Sequence, residues 1–229
     1  MFDEPHSPEW IDNALKRGSL NKGKFLTDNH FHSYYIQMKV INNLKVRKVL
    51  EIGPGENFAA NYLKEFGFQY FTMDIEEKSN PSILSSIENF NTQDYLNDYD
   101  LVCAFQVLEH SPYKNFVPNL KKMAEMSKKY VFISIPYSGF GIKLSLNIHF
   151  NQNLRPTRAL KMFLPSMKKN RIYRPEYVDE FPWAVHYWEI GRKGFPLRRI
   201  KNDIQKTGLS IKKTFHSNNL FHYYILAEK

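Results

Sequence analysis

The stretch Val49-Leu50-Glu51-Ile52-Gly53-Pro54-Gly55 decides the fold of this chain. The apolar run Lys48–Ile52 predicts a short buried strand, and the two glycines after it predict a tight turn into a helix. Glycine at such a turn permits positive φ and lets the backbone approach a ligand closely. Phe58 stands where a dinucleotide-binding loop has glycine, and the Gly-Lys-Ser/Thr of a phosphate loop is absent. The negative charge of Glu51 therefore favours a cationic ligand group, with a turn that binds no ligand as the alternative.

Strands and helices alternate along the chain on both sides of this turn. The predicted strands are Lys48–Ile52, Tyr70–Asp74, Ser82–Ile87, Asp100–Phe105, Tyr130–Ile135, Ser210–Phe215 and Phe221–Ala227. Helical spacing of apolar residues predicts helices around 59–66, 116–127 and 197–204. The pattern predicts an α/β fold with a Rossmann-like, seven-stranded, mostly parallel sheet, helices on both faces and an antiparallel C-terminal hairpin.

Two segments lie outside this alternation. Residues 1–46 are predicted to form an N-terminal helical extension, and residues 47–229 one domain. Within that domain, the 59 residues 138–196 separate the fifth strand from the last helix, which is too long for an ordinary connection. This insertion, predicted to be a substrate-side lid, carries ten Lys or Arg against four acids, so it holds most of the net charge of +9.

The composition limits the location and the partners of the protein. A single cysteine, Cys103, excludes an internal disulfide framework and any multi-cysteine zinc site. No apolar run of 18 residues exists and the first residues are polar, so we expect a cytoplasmic protein. Residues 155–174 contain seven Lys or Arg and no acid, which predicts contact with an anionic membrane surface at the inner face. An acidic or phosphorylated acceptor, nucleic acid, or simple solvation are the alternatives for this basic segment.

Asp74 extends the prediction at the first turn. It ends the second predicted strand, 19 residues after Gly55, where a carboxylate accepts hydrogen bonds from ribose hydroxyls. A nucleoside with a positively charged group satisfies both Asp74 and Glu51. S-adenosylmethionine is a nucleoside of this kind.

Several motifs together resemble the class I S-adenosylmethionine-dependent methyltransferases, near the broad type-11-like group. The motifs are Val49–Gly55, Asp74-Ile75, Tyr99–Val102, Phe105–His110 and Ile133–Pro136. The resemblance covers roughly residues 46–136 and resumes at 197–229. It implies the fold and the cofactor but says little about the methyl acceptor. The cofactor-binding residues that it implies are Glu51, Gly53 and Gly55 at the methionine end, Asp74 at the ribose, Ile75 and Ile87 on either side of the adenine, and Gln106 beside the cofactor.

Three residues are candidates for a general base that removes a proton from the methyl acceptor. Methyl transfer to an alcohol benefits from such a base. His110 follows the fourth strand on the cofactor side, with a structural or capping role as the alternative. His186 and Glu189 lie in the aromatic segment 183–189 at the end of the insertion, which alternatively forms the core of the insertion. The pair His30 and His32 has no third ligand, so no metal site is predicted.

These observations predict a methyltransferase acting on a small-molecule, glycan or lipid-linked acceptor. Methylation of RNA or DNA is the alternative. It is disfavoured because Phe105-Gln106-Val107-Leu108 stands where many amino-methylating nucleic-acid enzymes have Asn/Asp-Pro-Pro-Tyr/Phe. A non-catalytic cofactor-binding partner protein is a third possibility, against which the complete set of cofactor residues argues. The oligomeric state is not predicted.

Overall fold

A computed structural model describes residues 28–146, 149–150, 153–154, 158–164, 186–216 and 220–229. The strands are β1 (Lys48–Ile52), β2 (Gln69–Asp74), β3 (Ile83–Leu84), β4 (Tyr99–Phe105), β5 (Ser127–Pro136), β6 (Phe140–Leu146), β7 (His149–Phe150), β8 (Asn153–Leu154), β9 (Arg158–Leu164), β10 (Ser210–His216) and β11 (His222–Glu228). The helices are α1 (Asp28–Asn43), α2 (Phe58–Glu65), α3 (Phe116–Met126) and α4 (Leu197–Gln205).

Seven strands form the central sheet, in the order β10-β11-β5-β4-β1-β2-β3. β1 pairs in parallel with β2 and β4, and β4 pairs in parallel with β5. β11 lies antiparallel between β5 and β10, which confirms the predicted C-terminal hairpin. The carboxyl ends of β1, β2 and β4 therefore meet at one edge of the sheet, where open α/β sheets bind their ligands.

The third strand is shorter than the sequence predicts. Pairing with β2 covers only Ile83–Leu84, whereas the pattern predicted Ser82–Ile87. The Ser85 amide still donates to the Asp74 carbonyl, but the Ser86 hydroxyl then accepts from the Asn89 amide and turns the chain away. The local turn therefore replaces further pairing at this edge.

Both faces of the sheet are covered, as predicted. Alternate residues of β1 and β4 point to opposite faces, so these strands are apolar throughout. Leu50 and Val102 belong to the core under α3 and α4, while Val49 and Leu101 belong to the core that includes Ile41 of α1. The predicted N-terminal helix is thus part of the packing on the main sheet.

The described part of the insertion contains two small two-stranded sheets. β6 and β9 form an antiparallel pair, and β7 and β8 form another. Of the basic segment 155–174, the described residues are 158–164, which form β9, so its membrane contact stays a prediction. None of the helices in the described parts of the chain is long and apolar enough to cross a membrane.

Candidate functional site

The loop after β1 has the backbone conformation that the sequence predicts. Gly53 and Gly55 have φ of 64° and 59°, the left-handed region that favours glycine. A Cβ on Gly53 would lie 2.6 Å from Cγ2 of Val107, so the loop after β4 packs directly against this glycine. A Cβ on Gly55 would meet no atom within 4 Å. The backbone at Gly55 therefore borders open space at the carboxyl ends of the strands.

Two carboxylates lie beside this loop. Glu51 is buried and accepts a hydrogen bond of 3.0 Å from the Tyr70 hydroxyl. Burial raises the pKa of Glu51 to about 7, the Tyr70 hydrogen bond opposes this rise, and the charge of Asp74 adds to it. Burial also raises the pKa of Asp74, whose Oδ1 accepts from the Glu76 amide. The two acids are thus close enough to repel each other, which favours a positive charge between them.

Helix α1 closes one side of this edge, which the sequence analysis did not predict. Tyr34 of α1 packs against Phe58 at the start of α2, with ring centroids 5.0 Å apart and ring planes tilted by 32°. Burial, together with the charges of Glu56 and Glu51, raises the pKa of the Tyr34 hydroxyl, so this side chain lies near Glu51 and Glu56. The sequence signal is the 3–4-residue spacing of Tyr34, Met38, Ile41 and Leu44, which places Tyr34 on the apolar face of the helix.

Gln106 follows β4 in a strained backbone conformation. Its φ of 58° is in the left-handed region, which is uncommon for residues other than glycine and concentrates at functional sites. Its amide donates to the Ser134 carbonyl at 3.0 Å, and its side-chain Nε2 donates to Ser134 Oγ at 3.1 Å. The side chain is therefore held at the same edge as Gly53. Of the two predicted adenine-flanking residues, Ile75 is half-buried after β2 and Ile87 is buried in the core.

The three proton-transfer candidates lie together. The rings of His110 and His186 are 5.0 Å apart, and Nδ1 of His186 donates to Oε1 of Glu189 at 2.8 Å. Glu189 Oε2 also accepts from Arg192 Nε at 2.6 Å and from the Ser138 hydroxyl. Burial alone would raise the pKa of Glu189, but the bonds from His186 and Arg192 hold it below its usual value. Burial lowers the pKa of His186, but the hydrogen bond to Glu189 and the charges of Glu109 and Glu189 outweigh this effect. The pKa of His186 is therefore above its usual value.

Backbone and indole hydrogen bonds connect the end of the insertion to the segment after β4. The Tyr187 amide donates to the Glu109 carbonyl at 2.9 Å, and the Trp188 indole donates to the Ser111 carbonyl at 3.1 Å. Trp188 is itself buried in the core. The described part of this aromatic segment, residues 186–189, therefore lies against the segment after β4, while Trp183 lies outside the described residues.

Glu109 is the residue of this cluster that the sequence analysis missed. Its side chain is 0% exposed, and neither carboxylate oxygen has a hydrogen-bond partner among the described residues. Its own amide lies close to the carboxylate but forms no hydrogen bond of normal geometry. Burial raises the pKa of Glu109 to about 7, against the opposing effect of His186. An acid between Leu108 and His110 was the only available signal. One ligand atom each of Glu109, His110 and His186 lies within 4.8 Å of the others, so the three residues can hold a metal ion.

Comparison with known proteins identifies the family. A family profile described as a methyltransferase domain matches residues 21–213. No significant match to a curated protein was found. The 1,6-didemethyltoxoflavin-N1-methyltransferase of Burkholderia thailandensis, solved with 1,6-didemethyltoxoflavin and S-adenosylhomocysteine, has a TM-score of 0.58 at 12% identity, covering 100% of this chain and 92% of that one.

Two further solved structures have the same fold. For the magnesium protoporphyrin IX methyltransferase of Synechocystis PCC 6803 with bound SAM, the TM-score is 0.55 at 14% identity, covering 96% of this chain and 90% of that one. For a SAM-dependent methyltransferase from Archaeoglobus fulgidus, it is 0.58 at 15% identity, with 90% and 96% covered. At such identities the structures show the fold, whereas the profile, which matches most of the chain, shows the family. The chain therefore belongs to the methyltransferase-domain family and is a class I S-adenosylmethionine-dependent methyltransferase, as its motifs predict.

Proposed function

We propose that the protein binds S-adenosylmethionine at the edge formed by the loops after β1, β2 and β4. It then methylates a small-molecule, glycan or lipid-linked acceptor held beside the Glu109–Glu189 cluster, by which we mean Glu109, His110, His186 and Glu189. The observation that carries this proposal is the pair of acids with raised pKa values, the buried Glu51 and the half-buried Asp74, next to the open space at Gly55.

The residues at this edge fit the cofactor. Buried carboxylates with raised pKa values are unfavourable unless a ligand supplies positive charge or hydroxyl donors. A ligand with an amino group, a sulfonium and a ribose diol supplies all of these. The absence of a side chain at Gly55 leaves room for such a ligand to approach the backbone.

Each residue has a separate role in binding. Glu51 attracts the positive end of the ligand, and the Tyr70 hydrogen bond fixes the orientation of its carboxylate. Asp74 accepts from the ribose hydroxyls, and Ile75 and Ile87 flank the base. Gln106, oriented by Ser134, borders the ligand from the β4 side. Bound there, the cofactor supplies an electrophilic methyl group, and the remaining task of the protein is to position the acceptor.

The Glu109–Glu189 cluster supports an acceptor atom that loses a proton. Two histidines and one carboxylate lie within hydrogen-bonding or ring-contact distance along one path, from His110 through His186 to Glu189. Such a path can accept a proton from an acceptor hydroxyl and pass it away from the acceptor. Glu189 orients the His186 ring and stabilises its protonated form.

A methyl-transfer screen tests this function. The protein is incubated with labelled S-adenosylmethionine and a cell extract fractionated by acceptor class. We expect label in a small-molecule, glycan or lipid fraction, and much less of it with His186→Ala at unchanged cofactor affinity. Label confined to RNA or DNA would favour the nucleic-acid alternative, and cofactor binding without transfer to any fraction would favour a non-catalytic partner. A His32→Ala variant, changed on α1, serves as the control and should retain full transfer.

A further inference from the structure

We propose that Glu109, His110 and His186 bind a divalent transition-metal ion. One carboxylate oxygen or ring nitrogen from each residue lies within 4.8 Å of the other two. Two ligand atoms that each lie about 2.1 Å from one metal ion are about 3–4 Å apart. If side-chain rotation moves each ligand atom by roughly an ångström, all three atoms therefore reach bonding distance of one ion.

The burial of Glu109 is the second, independent observation. Its carboxylate is fully buried, and within the described residues neither oxygen accepts a hydrogen bond. An unpaired buried carboxylate is among the most costly groups that a folded protein can contain. Natural structures retain such groups where an ion or a ligand satisfies them. A bound cation supplies the positive charge that Glu109 otherwise lacks at its oxygens.

The surroundings of His186 prepare one ring nitrogen for the ion. Nδ1 of His186 donates to Glu189, so Nε2 is the nitrogen left with a lone pair for a ligand bond. Metal-bound histidines almost always donate their other N–H to a carboxylate or carbonyl, which fixes the tautomer and makes the ligand more basic. Glu189 is itself held by Arg192 and Ser138. Glu189 is thus a positioning residue for the site.

The backbone places the two halves of the site in fixed positions. Glu109 and His110 lie in the 3₁₀ turn Leu108–His110, directly after β4, and Leu108 is buried in the core. The Tyr187 amide bonds to the Glu109 carbonyl, which connects this turn to the segment carrying His186. The ligands therefore come from two rigidly connected segments, as a preorganised site requires.

The ligand set indicates the class of metal. Two imidazoles and one carboxylate suit Zn²⁺, Fe²⁺, Co²⁺ or Mn²⁺, whereas Mg²⁺ and Ca²⁺ prefer oxygen ligands alone. Three protein ligands leave at least one position open, as in catalytic rather than structural sites. Resting on the proposed function, we assign this open position to a hydroxyl oxygen of the acceptor, whose pKa the ion lowers. With both histidines bound to the ion, the hydroxyl proton leaves to solvent, and the ion takes the place of the histidine path in the metal-bound protein.

Titration with Co²⁺ alone tests the site. The full-length protein is treated with a chelator, dialysed, titrated with Co²⁺ while visible absorption is recorded, and then back-titrated with Zn²⁺. We expect one Co²⁺ per chain, displaced by Zn²⁺, with affinity reduced at least tenfold in Glu109→Gln and in His186→Ala. Glu189→Gln should reduce affinity by about 10–100-fold, because it removes the partner that orients a ligand. His32→Ala, changed on α1 outside the cluster, should bind as the unmodified protein does.

The same variants separate this inference from the proposed function. Circular dichroism identifies any variant that fails to fold, and His110→Asn then replaces that variant in the titration. The metal site would be overturned if the unmodified protein binds no Co²⁺. It would also be overturned if the ligand variants bind Co²⁺ as strongly as His32→Ala does. Calorimetry with S-adenosylmethionine is run in parallel on each protein. Cofactor binding without Co²⁺ binding rejects only the metal site, whereas Co²⁺ binding without cofactor binding rejects only the proposed function.

Discussion

Glu51 combines a cost to folding with a proposed role in binding. Its pKa is about 7 in the folded protein and near 4.5 in an unfolded chain. Because the folded state holds the proton more tightly, stability falls as pH rises from about 4.5 to about 7. The shift corresponds to about 3 kcal/mol of lost stability above that range.

The Glu51→Gln substitution tests both effects. Glutamine keeps the shape and the contact with Tyr70 but carries no charge. We expect urea unfolding to give a variant about as stable as the unmodified protein at pH 4, and more stable by up to about 3 kcal/mol at pH 8. Calorimetry should show at least tenfold weaker binding of S-adenosylmethionine at pH 8. Equal stability at both pH values, or unchanged cofactor affinity, would contradict the role given to this carboxylate.

Gly53 is required for two separable reasons. An alanine there adopts a left-handed φ, which costs about 1–2 kcal/mol, and its Cβ meets Val107. Gly67 has a similar φ of 84° but open space around a Cβ, so Gly67→Ala reports the backbone cost alone. We expect Gly53→Ala to lose about 1–3 kcal/mol more than Gly67→Ala in chemical denaturation. Adding Val107→Ala should recover part of that difference, and strictly additive effects in this double-mutant cycle would exclude the contact.

At the scale of elements, α1 docks on the sheet through buried polar groups. Ser33 of α1 shares a hydrogen bond of 2.6 Å with the Tyr224 hydroxyl of β11 and lies 3.1 Å from Nδ1 of His222. Burial, with the nearby His30, lowers the pKa of His222 to about 4. The docking therefore requires a neutral His222, since protonation would place an unpaired charge beneath the helix.

This requirement predicts a pH dependence of stability. The pKa of His222 falls from 6.5 in the unfolded chain to about 4 in the folded one, so the unfolded chain binds more protons between these values. Stability is retained above about pH 6.5 and falls by about 3 kcal/mol as pH decreases to about 4. In urea unfolding from pH 7 to pH 4, His222→Asn should lose less stability over this range than the unmodified protein. A parallel decline in both proteins would contradict this assignment.

The elements that the sequence predicts well are those with strong local patterns. β1, β4 and α3 have continuous apolar runs or clear helical spacing, and the structure places them within a few residues of their predicted bounds. β3 is shorter because the hydrogen bond between Ser86 and Asn89 is a turn contact that hydrophobic spacing does not reveal. The sequence analysis missed the strands of the insertion, although Phe140–Leu146 alternates apolar residues with glycine or polar residues, a local signal for a strand.

The residues of the candidate site likewise differ in how well the sequence predicts them. Glu51 and Asp74 lie at the carboxyl ends of strands and Gly53 and Gly55 come directly after one, so the parallel topology alone brings these residues to one edge. Glu109 has no side-chain hydrogen-bond partner among the described residues, and the ring of His110 contacts that of His186. Both features depend on chain segments far apart in sequence. No local pattern records such contacts. The sequence thus predicted these two histidines individually but not the shared site with Glu109.

For the molecule as a whole, the charge is concentrated in the insertion, which leads to a prediction about surfaces. Replacing Arg155, Arg158, Lys168 and Lys169 with glutamine should reduce flotation with anionic liposomes. The reason is that each basic residue near such a surface contributes about 1 kcal/mol. The matched control replaces four exposed lysines elsewhere, Lys39, Lys45, Lys64 and Lys78, and should float as the unmodified protein does. Unchanged flotation of the first variant would reject membrane contact through residues 155–174.

Isothermal titration calorimetry with S-adenosylmethionine measures whether the cofactor binds beside Glu51 and Asp74. We expect one saturable site per chain in the unmodified protein. Binding should weaken at least tenfold in both Glu51→Gln and Asp74→Asn, and His32→Ala should bind normally. A full-length, folded protein that gives no binding heat and no thermal shift with the cofactor would contradict the account. Binding of equal strength in both carboxylate variants would contradict the location of the site.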